Sequence, residues 1–517
     1  MSVLRQSWIG PAAAALVVSL ALAGCSSGGQ ASGSQASGDQ GASGAAAGFD
    51  PDATIVVGSQ NEPTSLNSIG GGSSGVTEAL YLNVYESLFS LDDEGQIHNL
   101  LAEDYSVSDD GLTYTFTLRQ GVTFHSGKPL TPEDVKWSIE RVISPESKAA
   151  RKGDLEVIDS VTTSGDDTVT VTLSQKKKSL IYYLAGVWIL QRDIADPATT
   201  EDGTGPYKLD QWKKGDSLTI SRFDGYWGEK PTNAGVTFRY FTDATALNNA
   251  LVARQIDIVS GEPSPDYLEE FQDTSQYTIV EGQSTVKDLL AFNDRVEPFT
   301  DVRVRQAVSS AIDKKALLDK VWNGYGQVTG SMVPPKDPWY EDLSDVNGYD
   351  PDRAKELLAE AGYPDGFSFT LETPNYDPHP AEAEFIKSEL AKVGIDVTIN
   401  TITSDTWYET VYSNHDFEAT LQEHVNDRDL VWFANPDFYW GYDNTQVQEW
   451  VDQSEAVDTD DEQTELLRKA NETVTEEAAA VWLFLAPQLR VSTADVSGYP
   501  KNGYNSQFFV GDITKSS

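Results

Sequence analysis

The chain has 517 residues, room for two or three domains, and its 39% hydrophobic and 10% aromatic residues suffice for packed cores. Its 81 Asp and Glu against 37 Lys and Arg give a formal charge of −44, which argues against nucleic acid as a partner and against broad contact with anionic lipid headgroups. No apolar run after residue 25 is long enough to span a bilayer, and the single cysteine, Cys25, excludes an internal disulfide and a thiolate zinc site.

The first residues read as an address. Arg5 precedes an apolar run from Ala12 to Ala23 that is too short and too early for a mature membrane helix. The run ends in Leu22-Ala23-Gly24-Cys25, which resembles a bacterial lipobox whose thiol is lipidated. Residues 1–24 are therefore expected to be a lipoprotein signal peptide. Residues 25–49 are expected to be a lipidated cysteine followed by a flexible Gly/Ser/Ala tether. Acyl chains on Cys25 would hold a soluble body at the extracytoplasmic face of the cell membrane.

Along the body, Thr54–Gly58 reads as a strand and Asn61–Leu66 as a polar loop. Val76–Phe89 has Leu80, Val84 and Leu88 at helical spacing. Tyr114, Phe116 and Leu118 alternate with threonines, the period of a half-buried strand. Thr131-Pro132-Glu133-Asp134 reads as a capped helix start with Val135, Ile139 and Val142 on its apolar face. Strands are expected at Thr168–Leu173, around Leu218 and Ile220, and along Val236, Phe238 and Tyr240. Beyond residue 292 the pattern shifts to helices: Asp301–Asn323, a helix opened by Asp350-Pro351 and stopped by Gly362, and Ala381–Val393. Ile395–Ile399 reads as a strand, Thr459–Glu462 as a capping box, and Ala478–Leu485 as a buried strand returning to an earlier sheet. The result is an α/β body with two lobes and a cleft between them.

Four stretches carry a family resemblance. They are Asn99–Val142, with Arg119-Gln120-Gly121 and Phe124-His125-Ser126-Gly127-Lys128-Pro129-Leu130; Gly203-Thr204-Gly205-Pro206-Tyr207 through Tyr226-Trp227-Gly228; Ala291-Phe292-Asn293 with Phe299–Ala307 and Ala311–Lys314; and Tyr349–Gly362. In these the chain resembles the family 5 extracytoplasmic solute-binding proteins of bacterial ABC importers, the oligopeptide, dipeptide and nickel-binding group. The resemblance implies a type II periplasmic-binding-protein-like fold in its large form, with an extra subdomain and a ligand cleft between lobes. It places lobe I at 50–90, 205–291 and 478–517, the extra subdomain at 91–204, and lobe II at 292–477, with chain crossings near 291 and 478 as the hinge. It further implies a monomer that hands its solute to a membrane permease and ATPase complex.

The same resemblance implies a peptide cargo. In peptide-binding relatives an aspartate four residues before a proline pairs with the peptide amino group. Counting back from Pro436 reaches Trp432, so Asp429 or Asp437 would have to act from a shifted position. Glu62 matches a position that borders ligand in some oligopeptide binders. Trp407, Tyr408, Trp432, Phe433, Tyr439 and Trp440 could form an aromatic cleft, and Asn435 lies in the same loop. The candidate ligand-binding set is Glu62, Trp407, Tyr408, Asp429, Trp432, Phe433, Asn435 and Asp437. The missing aspartate keeps another organic solute, such as an oligosaccharide, as the alternative cargo. The five histidines, 98, 125, 379, 415 and 424, lack tight metal spacing, and no metal or cofactor is expected. No catalytic residue is assigned: there is no Gly-x-Ser-x-Gly elbow and no His-Glu-x-x-His site, and a lipid-anchored glycoside hydrolase would need a carboxylate pair that 81 acids cannot single out.

Overall fold

The computed structural model describes residues 48–70, 74–149 and 151–516. The expected leader, Cys25 and most of the tether lie outside the described residues. Among the described residues no helix is long and apolar enough to cross a membrane.

Alternating strands build two sheets. Ala102–Val107, Thr113–Leu118, Thr168–Leu173 and Ile158–Ser164 form an antiparallel four-stranded sheet. Tyr114, Phe116, Val169 and Val171 point from it into a core shared with helix Pro132–Val142. The Asp134 carboxylate accepts from the backbone N–H of Thr131 at 3.0 Å, so the expected cap is present.

The second sheet has 11 strands and runs through both lobes. Its spine is two long antiparallel strands, Tyr277–Phe292 and Ala480–Thr493. They pair from Tyr277 opposite Thr493 to Ala291 opposite Ala480, with register breaks between Gln283 and Lys287 and between Asp288 and Leu289. On one side of the larger break the spine joins Ile258–Val259, Thr54–Ser59, Gly235–Tyr240, Ser217–Arg222 and Tyr207–Lys213. On the other side Ala419–His424 pairs with residues 287–292, followed by Ser368–Pro374 and Asp396–Ile402. These last two strands are parallel and are connected by helix His379–Ala391, a β-α-β unit. Gly282, near the break, lies so close to Lys501 that a Cβ would stand 1.9 Å from the Lys501 carbonyl oxygen.

Two helices end earlier than their apolar spacing suggests. The expected helix over Val76–Phe89 stops at Leu80, and residues 89–91 form a strand. Asn83 is fully buried and its side-chain nitrogen donates to the Ala79 and Phe508 carbonyls, while its oxygen accepts from the Val510 N–H at 3.0 Å. That side chain caps the helix and ties its end to the C-terminal segment. Asp301–Asn323 is two helices, Val302–Ala311 and Lys314–Trp322. The break is Asp313, whose carboxylate accepts from the Ala316 N–H at 2.9 Å and starts the second helix. The other expected caps hold: Asp350 accepts from the N–H groups of Asp352 and Arg353, and Thr459 and Glu462 exchange reciprocal bonds. The final buried run is longer than expected and lies centrally in the sheet, as strand Ala480–Thr493.

Candidate functional site: a cavity beside an interlobe ionic cluster

A cavity of about 420 Å³ opens where four segments converge. They are residues 68–91, residues 142–188, the turn at Val425 and Asn426 that follows strand Ala419–His424, and residues 505–507. Tyr81, Tyr182, Tyr183 and Trp188 supply aromatic walls, and Asn426, Asn505 and Gln507 supply amides. Arg151 is the cation of the lining, and no carboxylate belongs to it among the described residues. The guanidinium is held from behind. Its Nη2 donates to the Asp427 carbonyl at 2.8 Å and to the Asp429 carboxylate at 3.3 Å, while the buried Nη1 lies 3.7 Å from the Asp154 carboxylate.

Behind Arg151 lies a cluster that joins the lobes. The Asp427 carboxylate, fully buried, accepts from the hydroxyls of Tyr182 and Tyr504 and from the Asn505 amide at 2.8 Å. The Asn505 side-chain oxygen returns a bond to the Asp427 N–H at 2.8 Å. Two residues on, Asp429 meets Lys287 Nζ at 3.4 Å and His424 Nδ1 at 3.5 Å, and accepts from Trp432 Nε1 at 3.3 Å. Burial alone would raise the Asp429 carboxyl, but Lys287, His424 and Arg151 together hold it well below the usual carboxylate range. Arg428 lies 3.7 Å over the Tyr182 ring. Asp337, which accepts from the Arg428 N–H, is pushed up to about 8 by burial and by Asp427 beside it.

The residues expected to touch ligand occupy several environments, and none is part of this lining. Asp429 stands one layer behind it, bonded to Arg151. Trp432 stacks on Phe438 at 5.0 Å, and the Arg151 guanidinium lies 5.9 Å from its ring. Phe433 is fully buried and stacks on Trp440 at 4.2 Å. Trp407 is buried and donates to the Thr420 hydroxyl at 2.9 Å. Tyr408 is exposed and stacks on Tyr412. Asn435 and Asp437 are exposed, and the Asn435 side chain accepts from the Asp437 N–H. Glu62 accepts from Trp212 Nε1 and the Gly215 N–H, pinning its loop to the hairpin of residues 207–222. Sequence reasoning missed Arg151, Tyr182, Tyr183 and Asn505. The adjacent tyrosines in a short amphipathic segment were the one local hint.

A two-lobed α/β body with a cavity at the lobe junction defines the class of ligand-capturing, periplasmic-binding-protein-like folds. Residues 96–449 match the family described as bacterial extracellular solute-binding proteins, family 5 Middle. The chain belongs to that family, and it is a solute-binding protein of the ABC-importer kind rather than an enzyme. Among curated relatives, the glutathione-binding protein GsiB of Salmonella paratyphi A is 28% identical over 496 residues, covering 88% of this chain and 93% of its own. Among solved structures, the agropinic acid complex of AgaA from A. tumefaciens R10 is 27% identical with a TM-score of 0.76, covering 90% of this chain and 99% of that one. The DppA protein of Helicobacter pylori with the peptide STSA has a TM-score of 0.78 at 23% identity, covering 91% of this chain and 99% of that one, a likeness of fold.

Proposed function

We propose that this protein captures a short peptide, or a peptide-like organic acid of similar size, and delivers it to an ABC permease from an anchor on Cys25. The observation that carries this reading is the lining: a cavity of about 420 Å³ with one guanidinium, no carboxylate among the described residues, and aromatic walls. That volume lies in the range of small-molecule sites, about 300–1,000 Å³, and suits a few residues rather than a long chain. The Arg151 guanidinium, already fixed by Asp427, Asp429 and Asp154, is the cation of the lining and would attract a ligand carboxylate. The amides around it match a peptide backbone. The glutathione binder among the relatives and the organic-acid binder among the structures support a small carboxylate-bearing solute. We take the long strands Tyr277–Phe292 and Ala480–Thr493 as the hinge, residues 91–204 as the extra subdomain and residues 292–477 as lobe II. The bonds from Tyr182 and Tyr504 to Asp427 would then belong to the closed form.

Isothermal titration calorimetry with di- to tetrapeptides, glutathione and their carboxyl-amidated forms tests this. Binding that amidation weakens at least about tenfold, and that Arg151→Ala abolishes, is expected. Equal binding of acid and amide forms, or binding of oligosaccharides in place of every peptide, would overturn it.

A further inference from the structure

Beyond the larger break in the spine lies a second buried group of ionisable side chains, remote from the cavity lining. Asp288, on the long strand, faces His379 and Glu382, which sit three residues apart in helix His379–Ala391. One donor atom from each lies within 4.8 Å of the other two. His379 Nε2 and Asp288 Oδ2 are 3.9 Å apart. All three residues have 0% exposure. With both carboxyls ionised, the oxygens of Asp288 and Glu382 and Nε2 of His379 lack a hydrogen-bond partner among the described residues, while a single shared proton would bond Asp288 to Glu382. Glu423, directly opposite Asp288 across the strand pair, adds a fourth group.

Such a group is expensive as it stands. Buried carboxylates are stabilised by paired cations, by donors or by metal ions, and among the described residues no Lys or Arg forms an ion pair with Asp288 or Glu382. The imidazole is oriented as a ligand. Its Nδ1 faces the Tyr376 carbonyl at 3.4 Å, which places the ring N–H on that side and leaves the Nε2 lone pair toward the two carboxyls. The Tyr376 ring packs edge-on against the imidazole at 4.7 Å and fixes its plane. Ligands bonded to one ion at about 2.0–2.2 Å stand roughly 3.3–4.2 Å from each other, so the observed spacing needs only a small inward movement.

We infer that Asp288, His379 and Glu382 form a structural divalent-metal site between the long strand and helix His379–Ala391. One nitrogen and two carboxylate oxygens suit a first-row ion such as zinc or manganese better than calcium, which takes oxygens alone. Two carboxylates and a divalent cation neutralise each other in the dry interior. Burial pushes Glu382 up to about 8 and Glu423 up to about 7, so without an ion the group would keep protons instead. That is the competing state an experiment must separate. The expectation that no metal is bound rests on the spacing of histidines alone, and one histidine and one acid on a helix with a second acid from a distant strand escape that criterion.

Because all three groups are sealed from solvent, the ion must enter as the lobe folds. The full-length chain should therefore be refolded from denaturant with EDTA, with zinc chloride or with manganese chloride. It is then freed of unbound ion by gel filtration and analysed for metal content and melting temperature. About one equivalent retained from zinc or manganese, with a higher melting temperature than the EDTA sample, is expected. Asp288→Asn and His379→Gln should each lower retention at least about tenfold, while His98→Gln, at an exposed His–Asp contact, should leave it unchanged. Refolding in cobalt chloride gives a readout independent of whether the variants fold. A visible absorption band in the wild-type protein supports a nitrogen- and carboxylate-bound ion. Its absence, or metal content below about a tenth of an equivalent under every refolding condition, means that the group holds protons and overturns the proposal.

Discussion

Lys287 and Asp288 are consecutive on one strand, and their side chains enter two different electrostatic worlds. Strand geometry sends neighbours to opposite faces. Lys287 reaches Asp429, which also meets Arg151 and His424, so that cluster contains opposing charges within hydrogen-bonding range. Asp288 reaches Glu382 and His379 and finds no basic side chain other than the imidazole. Asp429 in the first cluster is held low and Asp288 in the second is raised, though both are buried, while Asp337, beside Asp427 in the first, is raised as well. Burial alone therefore predicts neither direction; the identity of the nearest partner decides it. The matched cluster spans the lobe junction beside the cavity. The unmatched one lies between the long strand and helix His379–Ala391.

Breaking the matched cluster should have the largest effect. Asp429→Ala leaves Lys287, at 0% side-chain exposure, without its counter-charge. A loss of about 3–5 kcal/mol in urea unfolding is expected. A loss below about 1 kcal/mol would mean that the cluster is solvated and the contrast between the two faces is false. The same substitution one residue from Lys287 should behave differently. In metal-free protein, Asp288→Ala removes a buried carboxyl that has no cation beside it among the described residues, and stability should rise or hold within about 1–2 kcal/mol. If it fell by as much as in Asp429→Ala, then Asp288 would have a favourable partner after all.

The two faces also differ in acid. Asp429 has a folded pKa depressed below its unfolded value of about 3.9, so its contribution is present above that pH and is lost as pH falls through the folded value. Stability measured from pH 6 down to pH 2 should therefore fall less steeply in Asp429→Asn than in the wild type, by about 1–3 kcal/mol across that interval. Parallel acid limbs in the two proteins would show that Asp429 is not held by cations in solution.

Much of the fold was legible because local chemistry decides it. Alternating Tyr114, Phe116 and Leu118 gave a strand, and Asp350-Pro351 and Thr459–Glu462 gave helix starts, since each device acts within four residues. The helix from Val76 was drawn too long because its terminator, Asn83, acts through Phe508 and Val510 at the far end of the chain. The cavity was less legible for the same reason. Arg151 and Asp429 are 278 positions apart, and Tyr182 and Asp427 are 245 apart, so nothing in either neighbourhood announces the other. The aromatic loop was legible as aromatic but not as to facing. Phe433 and Tyr408 look alike in sequence, yet one stacks on Trp440 in the core and the other lies on the surface at 60% exposure.

That last pair supplies the smallest expected effect and a control for the charged variants. Tyr408 stacks on Tyr412 at 5.0 Å, with most of its surface in water. Removing it forfeits part of one exposed aromatic contact, so Tyr408→Ala should change unfolding free energy by less than about 0.5–1 kcal/mol. It touches neither face of the Lys287–Asp288 strand. Both the acid limb and the metal content should therefore match the wild type, while Asp429→Asn changes the first and Asp288→Asn the second. A Tyr408 variant that altered either one would show that the two clusters respond to lobe II stability as a whole, and the charge-by-charge account of their difference would fail.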